Sequence, residues 1–236
     1  MNNLFRFFNI QNLLEMKRLK FSLFVFLMIG MACSHSMKQS VVESEKIERT
    51  DSIQLQFAQD TIIDSDYTFS EAIAGSSAPK YIIDKLKLIT VHYVSTDGRI
   101  HRGQILTNSH IADDLSEMFD FMLYHDFVVE KVIPIVRYNW DDSLSMDDNN
   151  SYSFCYRNAS YSKHAIGMAI DINPRFNPVR WKIGNLPNEP EGAVMDTTVN
   201  GTFFEGHLVV EEFRKRGFRW GHSFSKYYDD HHFEKR

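Results

Sequence analysis

The sequence predicts an α+β fold, a small single domain with a central antiparallel sheet flanked by helices. Two β-branched runs, 86–94 and 100–106, flank Asp97-Gly98, which is a strong hairpin signal. Apolar residues at helical spacing follow in 108–124 and again in 208–216. Strands that neighbour each other in sequence, with only two main helices between them, favour an antiparallel sheet over alternating βαβ units.

The N-terminus has the pattern of an export signal. A basic run that begins at Met16 precedes an apolar stretch, 21–31, and small residues lead to Cys33. The apolar stretch is shorter than the roughly 20 residues that span a bilayer, so a signal peptide is favoured. We predict a signal peptide over 1–33 with a lipoprotein-type cleavage site, so that Cys33 would carry a lipid. An ordinary signal peptide or an uncleaved anchor is the alternative, and Met16 competes with Met1 as the true start.

Composition divides the remainder into a tether and one domain. Residues 34–66 are rich in Ser, Glu, Gln and Asp and predict a polar tether, whereas 67–236 predicts the folded domain. The net charge of −5 gives no reason to expect nucleic acid as a partner. With Cys33 lipidated, Cys155 has no disulfide partner and is predicted to be a buried apolar thiol. We therefore expect the protein to be exported and anchored to a membrane in the cell envelope, as a monomer.

The remaining elements follow in order along the chain. Asn108 or Ser109 is predicted to cap the first main helix, which ends near Tyr124. Gly217 is placed to end the second helix in the left-handed conformation. The other predictions are an extended segment over 128–138, an acidic loop over 140–153, a buried strand over 169–172 and a long Pro- and Asn-rich loop over 173–198.

Two distant motifs together supply the side chains of a catalytic metal site. Ser162 to Asp171 contains His164 and Asp171, and the C-terminal motif contains Asp229 and His232. Two imidazoles and one carboxylate leave a fourth position of a zinc ion open for water. Asp229 is then available as the general base, and Arg157 as the cation for a developing oxyanion.

The proposed site makes two demands on the fold. Asp229 and His232 are three residues apart, so a regular strand would point them to opposite faces, and a turn between them is required. A carboxylate such as Asp171 in an apolar strand needs a partner. A metal would provide it, and a salt bridge to Arg157 or Arg175 is the alternative.

These motifs resemble the M15 zinc peptidases, which include D-alanyl-D-alanine carboxypeptidases and L-alanyl-D-glutamate endopeptidases of bacterial cell-wall peptides. The Ser-x-His-x-x-Gly-x-Ala-x-Asp pattern of 162–171 and the Asp-x-x-His-Phe-Glu pattern of 229–234 carry the resemblance. The segments 154–157 and 218–221 are similar to further family motifs. The family fold is a small α+β domain that is shared with the hedgehog signalling domain.

The resemblance implies a role for each candidate residue. His164, Asp171 and His232 would bind one Zn²⁺ per chain, and Asp229 would be the general base and acid. Arg157 would contact the substrate or the oxyanion. Ser162 would lie beside the substrate, and Trp220 would form a wall of the cleft, unless Trp220 is simply core packing.

The chain departs from the family pattern at its end, and the function has alternatives. Asp230 and His231 double the motif and compete as base and ligand, and His222 replaces a glycine that is frequent in the family. The predicted function is zinc-dependent hydrolysis of peptidoglycan stem peptides, of the D-alanyl-D-alanine carboxypeptidase type. The alternatives are an L-alanyl-D-glutamate endopeptidase and a catalytically inactive zinc-bearing module that binds the cell wall.

Overall fold

The structure is a computed structural model that describes residues 61–159, 161–184 and 186–235. The predicted signal peptide over 1–33 with its lipid-bearing Cys33, and the predicted tether as far as residue 60, lie outside the described residues. No helix in the described part of the chain is both long enough and apolar enough to cross a bilayer.

Ten strands, eight of them only two or three residues long, and five α-helices make up the described chain. The strands are β1 (Ile62–Ile63), β2 (Leu86–Val94), β3 (Ile100–Asn108), β4 (Lys131–Val132), β5 (Asn150–Ser151), β6 (Ala169–Asp171), β7 (Val179–Trp181), β8 (Arg219–Trp220), β9 (Tyr227–Asp229) and β10 (His232–Glu234). The helices are α1 (Phe69–Ala72), α2 (Lys80–Ile83), α3 (Ala112–Tyr124), α4 (Asp142–Asp147) and α5 (Leu208–Lys215).

The predicted hairpin is present. Strands β2 and β3 pair antiparallel from Leu86 opposite Asn108 to Val94 opposite Ile100, so the turn falls at Asp97-Gly98. Strand β1 joins the other edge of β3 in parallel orientation. The folded part therefore begins before the predicted boundary at Tyr67, because the backbone of β1 completes the sheet. The Asp64 carboxylate also accepts a bond from His101 Nδ1 at 2.8 Å.

Helix α3 covers the hairpin sheet, as its apolar spacing predicts. Its buried face includes Leu115, Met118, Phe119 and Met122. The predicted cap is wrong, because Ile111 occupies the N-cap position with no side-chain cap bond. The Asn108 side chain instead accepts from the backbone N–H of His110 and closes a local turn ahead of the helix.

A second sheet carries the C-terminal motifs. Strand β10 lies between β6 and β8 and is antiparallel to both, and β7 pairs antiparallel with β9. The described strands are thus divided among two three-stranded and two two-stranded sheets. This agrees with an α+β fold, although one central antiparallel sheet is not what the pairing shows.

One apolar core joins the two larger sheets and the two longer helices. Ile105 of β3 and Phe233 of β10 belong to the same cluster as Met118 of α3 and Phe213 of α5. The Phe213 and Phe233 rings stack with centroids 4.1 Å apart. The second helix prediction is confirmed, and Gly217 ends α5 with φ of +82°. This core fixes β10, and with it the C-terminal candidate ligand.

The predicted extended segment and the two predicted loops contain structure that the sequence did not indicate. The segment 128–138 holds only the short strand β4, and a 3-10 turn follows Pro134. The predicted acidic loop contains α4 and β5, with the Asp141 side chain capping α4 through Leu144 N. The predicted loop over 173–198 contains β7. These elements are two to six residues long, too short to impose a readable periodicity.

Candidate metal centre and cleft

The three predicted metal ligands meet at one point. His164 Nε2 lies 3.0 Å from His232 Nδ1 and 3.2 Å from Asp171 Oδ1, and His232 Nδ1 lies 2.9 Å from the same oxygen. All three side chains are buried. The contact between His164 Nε2 and His232 Nδ1 joins two ring nitrogens.

Strand register brings two of the ligands together. His232 on β10 stands directly opposite Asp171 on β6, so both side chains leave the same face of the sheet. His164 begins a 3-10 turn that Gly167 ends in the left-handed conformation, with φ of +67°. A Cβ on Gly167 would lie 2.7 Å from the backbone nitrogen of Asn108, so this turn packs against β3 only with glycine.

The outer nitrogens of both imidazoles already have acceptors. His164 Nδ1 donates to the carbonyl oxygen of Ser153 at 2.7 Å, and His232 Nε2 lies 3.4 Å from Glu234 Oε2. A carbonyl only accepts, which places the His164 proton on Nδ1 and leaves the Nε2 lone pair towards the cluster. Such outer partners are typical of metal-bound histidines.

The cluster fits a tetrahedral divalent ion. At metal–ligand distances of about 2.0–2.1 Å, tetrahedral ligand atoms stand about 3.3 Å apart. The three observed separations, 2.9, 3.0 and 3.2 Å, are close to this edge length. Two imidazole nitrogens and a carboxylate oxygen form a donor set that suits zinc. Among the described residues, these three side chains bring their ligand atoms close enough together to hold one ion.

Burial and neighbouring charges have opposite effects on the pKa values of this cluster. Burial raises the pKa of Asp171, yet the neighbouring His164 and His231 imidazoles hold it well below its ordinary value. Burial lowers the pKa of His232, but hydrogen bonds to Asp171 and Glu234 outweigh it and raise this pKa to about 10. The carboxylates therefore attract positive charge into the centre, and a divalent cation supplies it while displacing protons.

Asp229 lies beside this centre with an unsatisfied oxygen. Its Oδ1 atom is buried and has no hydrogen-bond partner among the described residues. His231 Nε2 is 3.0 Å away and forms an ion pair with this oxygen when the imidazole is protonated. Burial raises the pKa of Asp229, but the neighbouring His231 and His232 imidazoles outweigh it and hold this pKa below its ordinary value, so the ionised carboxylate can accept a hydrogen bond from a molecule in the cleft.

The turn required between Asp229 and His232 is present. Residues 230 and 231 form it, between the end of β9 and the start of β10. Gly221 allows this close packing, because a Cβ there would lie 2.6 Å from the Asp229 carbonyl oxygen. His231 is outside the three-ligand group, since its Nε2 lies 3.9 Å from the nearer Asp171 oxygen, and its Nδ1 donates to the Asn177 carbonyl.

Asp230 anchors the turn from its opposite side. Its side chain is fully buried, with Oδ2 accepting from Arg180 Nε at 2.7 Å and Oδ1 lying 2.6 Å from His222 Nδ1. Its carbonyl oxygen accepts from Trp220 Nε1 at 2.8 Å. Asp230 is absent from the lining of the cleft, so the geometry favours Asp229 as the base.

Replacing Asp230 by Ala is expected to lower the free energy of unfolding by about 1–3 kcal/mol. This loss of stability is smaller than that for breaking a fully buried ion pair, because the Arg180 and His222 side chains are about 30% exposed and can be hydrated again. Urea unfolding of Asp230→Ala and wild type measures the difference. An unchanged stability would contradict the anchoring role, and Asp147→Ala on the exposed side of α4 is the control.

A cleft of about 580 Å³ opens over the cluster and contains most of the predicted site. Arg157, Ser162 and Asp229 line it together with the three candidate ligands. Arg157 Nη2 lies 2.8 Å from Asp142 Oδ2, so Arg157 pairs with this carboxylate. The proposed salt bridge of Asp171 to Arg157 or Arg175 is not formed, and the histidines take its place.

Of the two interpretations of Trp220, a wall of the cleft and core packing, the structure agrees with core packing. Its ring is 2% exposed and belongs to the main apolar core, with Arg214 and His222 against its faces. Its position opposite Phe233 on β10 explains this, since both side chains point into the core side of the sheet. Trp220 therefore supports the ligand strand and does not touch the cleft.

The sequence did not identify several residues that line the cleft. Trp181 and Tyr227 form an aromatic contact with centroids 5.4 Å apart, and Phe224 packs edge-on to Tyr227. Strand β7 lies in a segment whose prolines and asparagines predict a loop, so no periodic signal marks Trp181.

Cys155 is buried as predicted, and burial raises the pKa of its thiol to about 11.

Comparison with known proteins supports the interpretation of these motifs. A family model of the M15 group, described as D-alanyl-D-alanine carboxypeptidase, matches residues 156–235. The matched segment is roughly a third of the chain and includes all three candidate metal ligands as well as Arg157 and Asp229. No curated protein and no solved structure matches the chain. The predicted resemblance to the M15 peptidases is confirmed over this segment.

Proposed function

We propose that this protein is a zinc-dependent peptidase that hydrolyses peptidoglycan stem peptides, of the D-alanyl-D-alanine carboxypeptidase type. The observation that carries the proposal is the convergence of His164, Asp171 and His232 inside the segment that matches the family. The proposal includes one ion per chain and the family fold shared with the hedgehog domain. The sheet of β6, β10 and β8, which holds two ligands, is the part of the fold that supports it.

The chemistry follows from the side chains that face the cleft. Zinc, when bound, supplies Lewis acidity for the substrate carbonyl and acidifies water. Hydrolysis forms a bond from the water oxygen to the carbonyl carbon and breaks the bond from that carbon to nitrogen. Asp229 takes the proton that the water loses and passes it to the leaving amine. Its carboxylate lines the cleft and is held in the ionised form, which makes it the available acceptor.

Other cleft residues bind and orient the peptide. Arg157 offers donors to the developing oxyanion or to the substrate chain. Ser162 lines the cleft beside Lys163 and His164 and offers a hydroxyl to the peptide backbone. The presence of Asp229 argues against the alternative of a zinc-bearing binding module, because such a module does not require a buried carboxylate next to the metal.

A direct test uses the purified chain loaded with one equivalent of zinc and peptidoglycan fragments with defined stem peptides. Mass spectrometry is expected to show loss of terminal D-alanine or a cut within the stem. The Asp229→Asn variant, also loaded with zinc, is the negative control. Intact fragments after prolonged incubation with the zinc-loaded wild type would contradict a peptidase function.

We also propose that the protein works at the cell envelope, attached to a membrane through lipid on Cys33. The basic and apolar runs before this residue support the proposal. The Cys33→Ser variant is expected to move from the membrane fraction to the soluble fraction, because one lipid attachment point is lost. Fractionation of cells grown with labelled fatty acid measures the membrane association of each form and the label that each form carries. Equal membrane association of the two forms, with no label on wild type, would contradict the lipid anchor.

A further inference from the structure

Tyr152 stands in the same row of side chains as two of the candidate metal ligands. Its backbone N–H donates to the Asp171 carbonyl oxygen at 3.1 Å, and the Asp171 N–H donates back to the Tyr152 carbonyl oxygen at 2.9 Å. Residues that face each other in such an antiparallel pair point their side chains to the same face. His232 stands opposite Asp171 from the other side. Tyr152, Asp171 and His232 therefore form one row across the face that carries the candidate metal centre.

The Tyr152 ring also packs against the third candidate ligand. Its centroid lies 5.2 Å from that of His164, with the two ring planes tilted by 34°. The side chain is almost fully buried, and on its other side it belongs to a small apolar cluster with Ile135 and Cys155. Tyr152 is thus paired with one ligand and packed on another, so the elements that fix the metal centre also fix this ring.

The hydroxyl group of Tyr152 is the part of this side chain that meets the cleft. Tyr152 lines the cleft, and its hydroxyl has no hydrogen-bond partner among the described residues. Within that part of the chain, the fully buried side-chain atoms that lack a partner are on other residues, so the small exposed fraction of Tyr152 includes this oxygen. A tyrosine hydroxyl keeps its proton at neutral pH and can donate one hydrogen bond. The cleft therefore presents a neutral donor beside the candidate ligands.

Arg157, the donor already assigned to the developing oxyanion, is partly engaged elsewhere. Its Nη2 atom lies 2.8 Å from Asp142 Oδ2. The nearby carboxylate weakens the attraction that the guanidinium exerts on a negative charge in the cleft. Attack of water on a peptide carbonyl places negative charge on the carbonyl oxygen, and donors aimed at this oxygen lower the barrier. A second, uncharged donor next to the ligands meets a need that Arg157 meets only in part.

We propose that Tyr152 is a further catalytic residue, whose hydroxyl donates a hydrogen bond to the carbonyl oxygen of the cleaved bond as negative charge develops there. The inference rests on the proposed peptidase function and adds one residue to its machinery. The hydroxyl keeps its proton throughout, and no covalent bond to the tyrosine forms or breaks. The hydrogen bond is stronger in the transition state than in the bound substrate, because the acceptor oxygen is more negative there.

The Tyr152→Phe variant tests this role, because it removes the hydroxyl and retains the ring that packs on His164. On a peptidoglycan fragment that the wild type cleaves, kcat is expected to fall by about 10²-fold while KM changes by less than about threefold. Zinc affinity, measured by competition with a chelator, should stay at the wild-type value. Tyr138→Phe is the control, because it removes a hydroxyl that bonds to Asp148 and is absent from the lining of the cleft.

A phosphinate peptide provides a readout that does not depend on turnover. In this compound a tetrahedral phosphinate replaces the peptide group that would be cleaved, so one of its oxygens stands in for the developing oxyanion. Calorimetry is expected to show that zinc-loaded Tyr152→Phe binds the phosphinate about 10²-fold more weakly than zinc-loaded wild type. Tyr138→Phe should bind it as the wild type does.

The outcomes separate this inference from the proposed function. A wild type that binds the phosphinate but cleaves no fragment would count against the peptidase, and the affinity of Tyr152→Phe would still decide the role of the hydroxyl. Equal phosphinate affinities in wild type and Tyr152→Phe, or a wild type that binds no phosphinate, would overturn the inference. A parallel loss of zinc affinity and kcat in the variant would also overturn it, because Tyr152 would then only support His164.

Discussion

The Asp229→Asn variant is expected to bind zinc with wild-type stoichiometry and to lose turnover by about 10²–10⁴-fold. Asparagine preserves the size of the side chain, so the turn to His232 and the packing against Gly221 remain. It removes the negative charge of the carboxylate, which in the proposed mechanism takes the proton from the attacking water. The loss should appear in kcat, since the base acts in the transition state and contributes little to substrate binding.

The doubled acidic motif provides a matched control for this prediction. Asp230→Asn changes the neighbouring carboxylate, which faces Arg180 and His222 and is absent from the lining of the cleft. We expect this variant to be less stable but to keep most of its kcat. Steady-state kinetics with zinc content measured on the same samples compares the two variants. A severe loss in Asp230→Asn with near-normal turnover in Asp229→Asn would reverse the assignment of the base.

The His232→Ala variant is expected to lose zinc affinity by more than about 100-fold. Changes to outer-shell partners of a metal cost about 10–100-fold in affinity, and His232 would be one of only three protein ligands. Its Nδ1 contributes two of the three short contacts in the cluster, to His164 and Asp171. Turnover should fall to background at zinc concentrations that saturate the wild type.

The adjacent histidine is the natural control for this second prediction. His231→Ala removes an imidazole that contacts Asp229 and the Asn177 carbonyl but lies outside the three-ligand group. It should retain one tightly bound zinc. Competition with a chromophoric chelator measures both affinities. If His231→Ala released the ion and His232→Ala kept it, the sequence register that places the ligand at 232 would be wrong.

The metal ligands could be predicted from sequence because their chemistry is carried by local motifs. His164 and Asp171 occupy one short segment with Gly167 between them, and a positive φ at this glycine is a local requirement. The hairpin and the two longer helices have enough residues for a periodic signal. In contrast, the convergence of His232 with Asp171 depends on the register of β10 against β6, which no local pattern encodes.

The errors share a physical cause, since each concerns which face or partner a side chain takes in the folded chain. Trp220 stands beside the closing motif in sequence, yet the pairing of β8 with β10 turns it into the core. The Asp142–Arg157 pair joins helix α4 to a segment fifteen residues further along the chain. Trp181 reaches the cleft because β7 pairs with β9, a contact between segments almost fifty residues apart in the chain.

The central claim is that His164, Asp171 and His232 hold one catalytic metal ion. A crystal structure of the protein with zinc, with anomalous data collected at the zinc absorption edge, tests it most directly. We predict one strong anomalous peak about 2.0–2.2 Å from His164 Nε2, His232 Nδ1 and an Asp171 oxygen, with Asp229 facing the remaining coordination position. A fully occupied zinc bound elsewhere, or no peak among these three side chains at saturating zinc, would contradict the account.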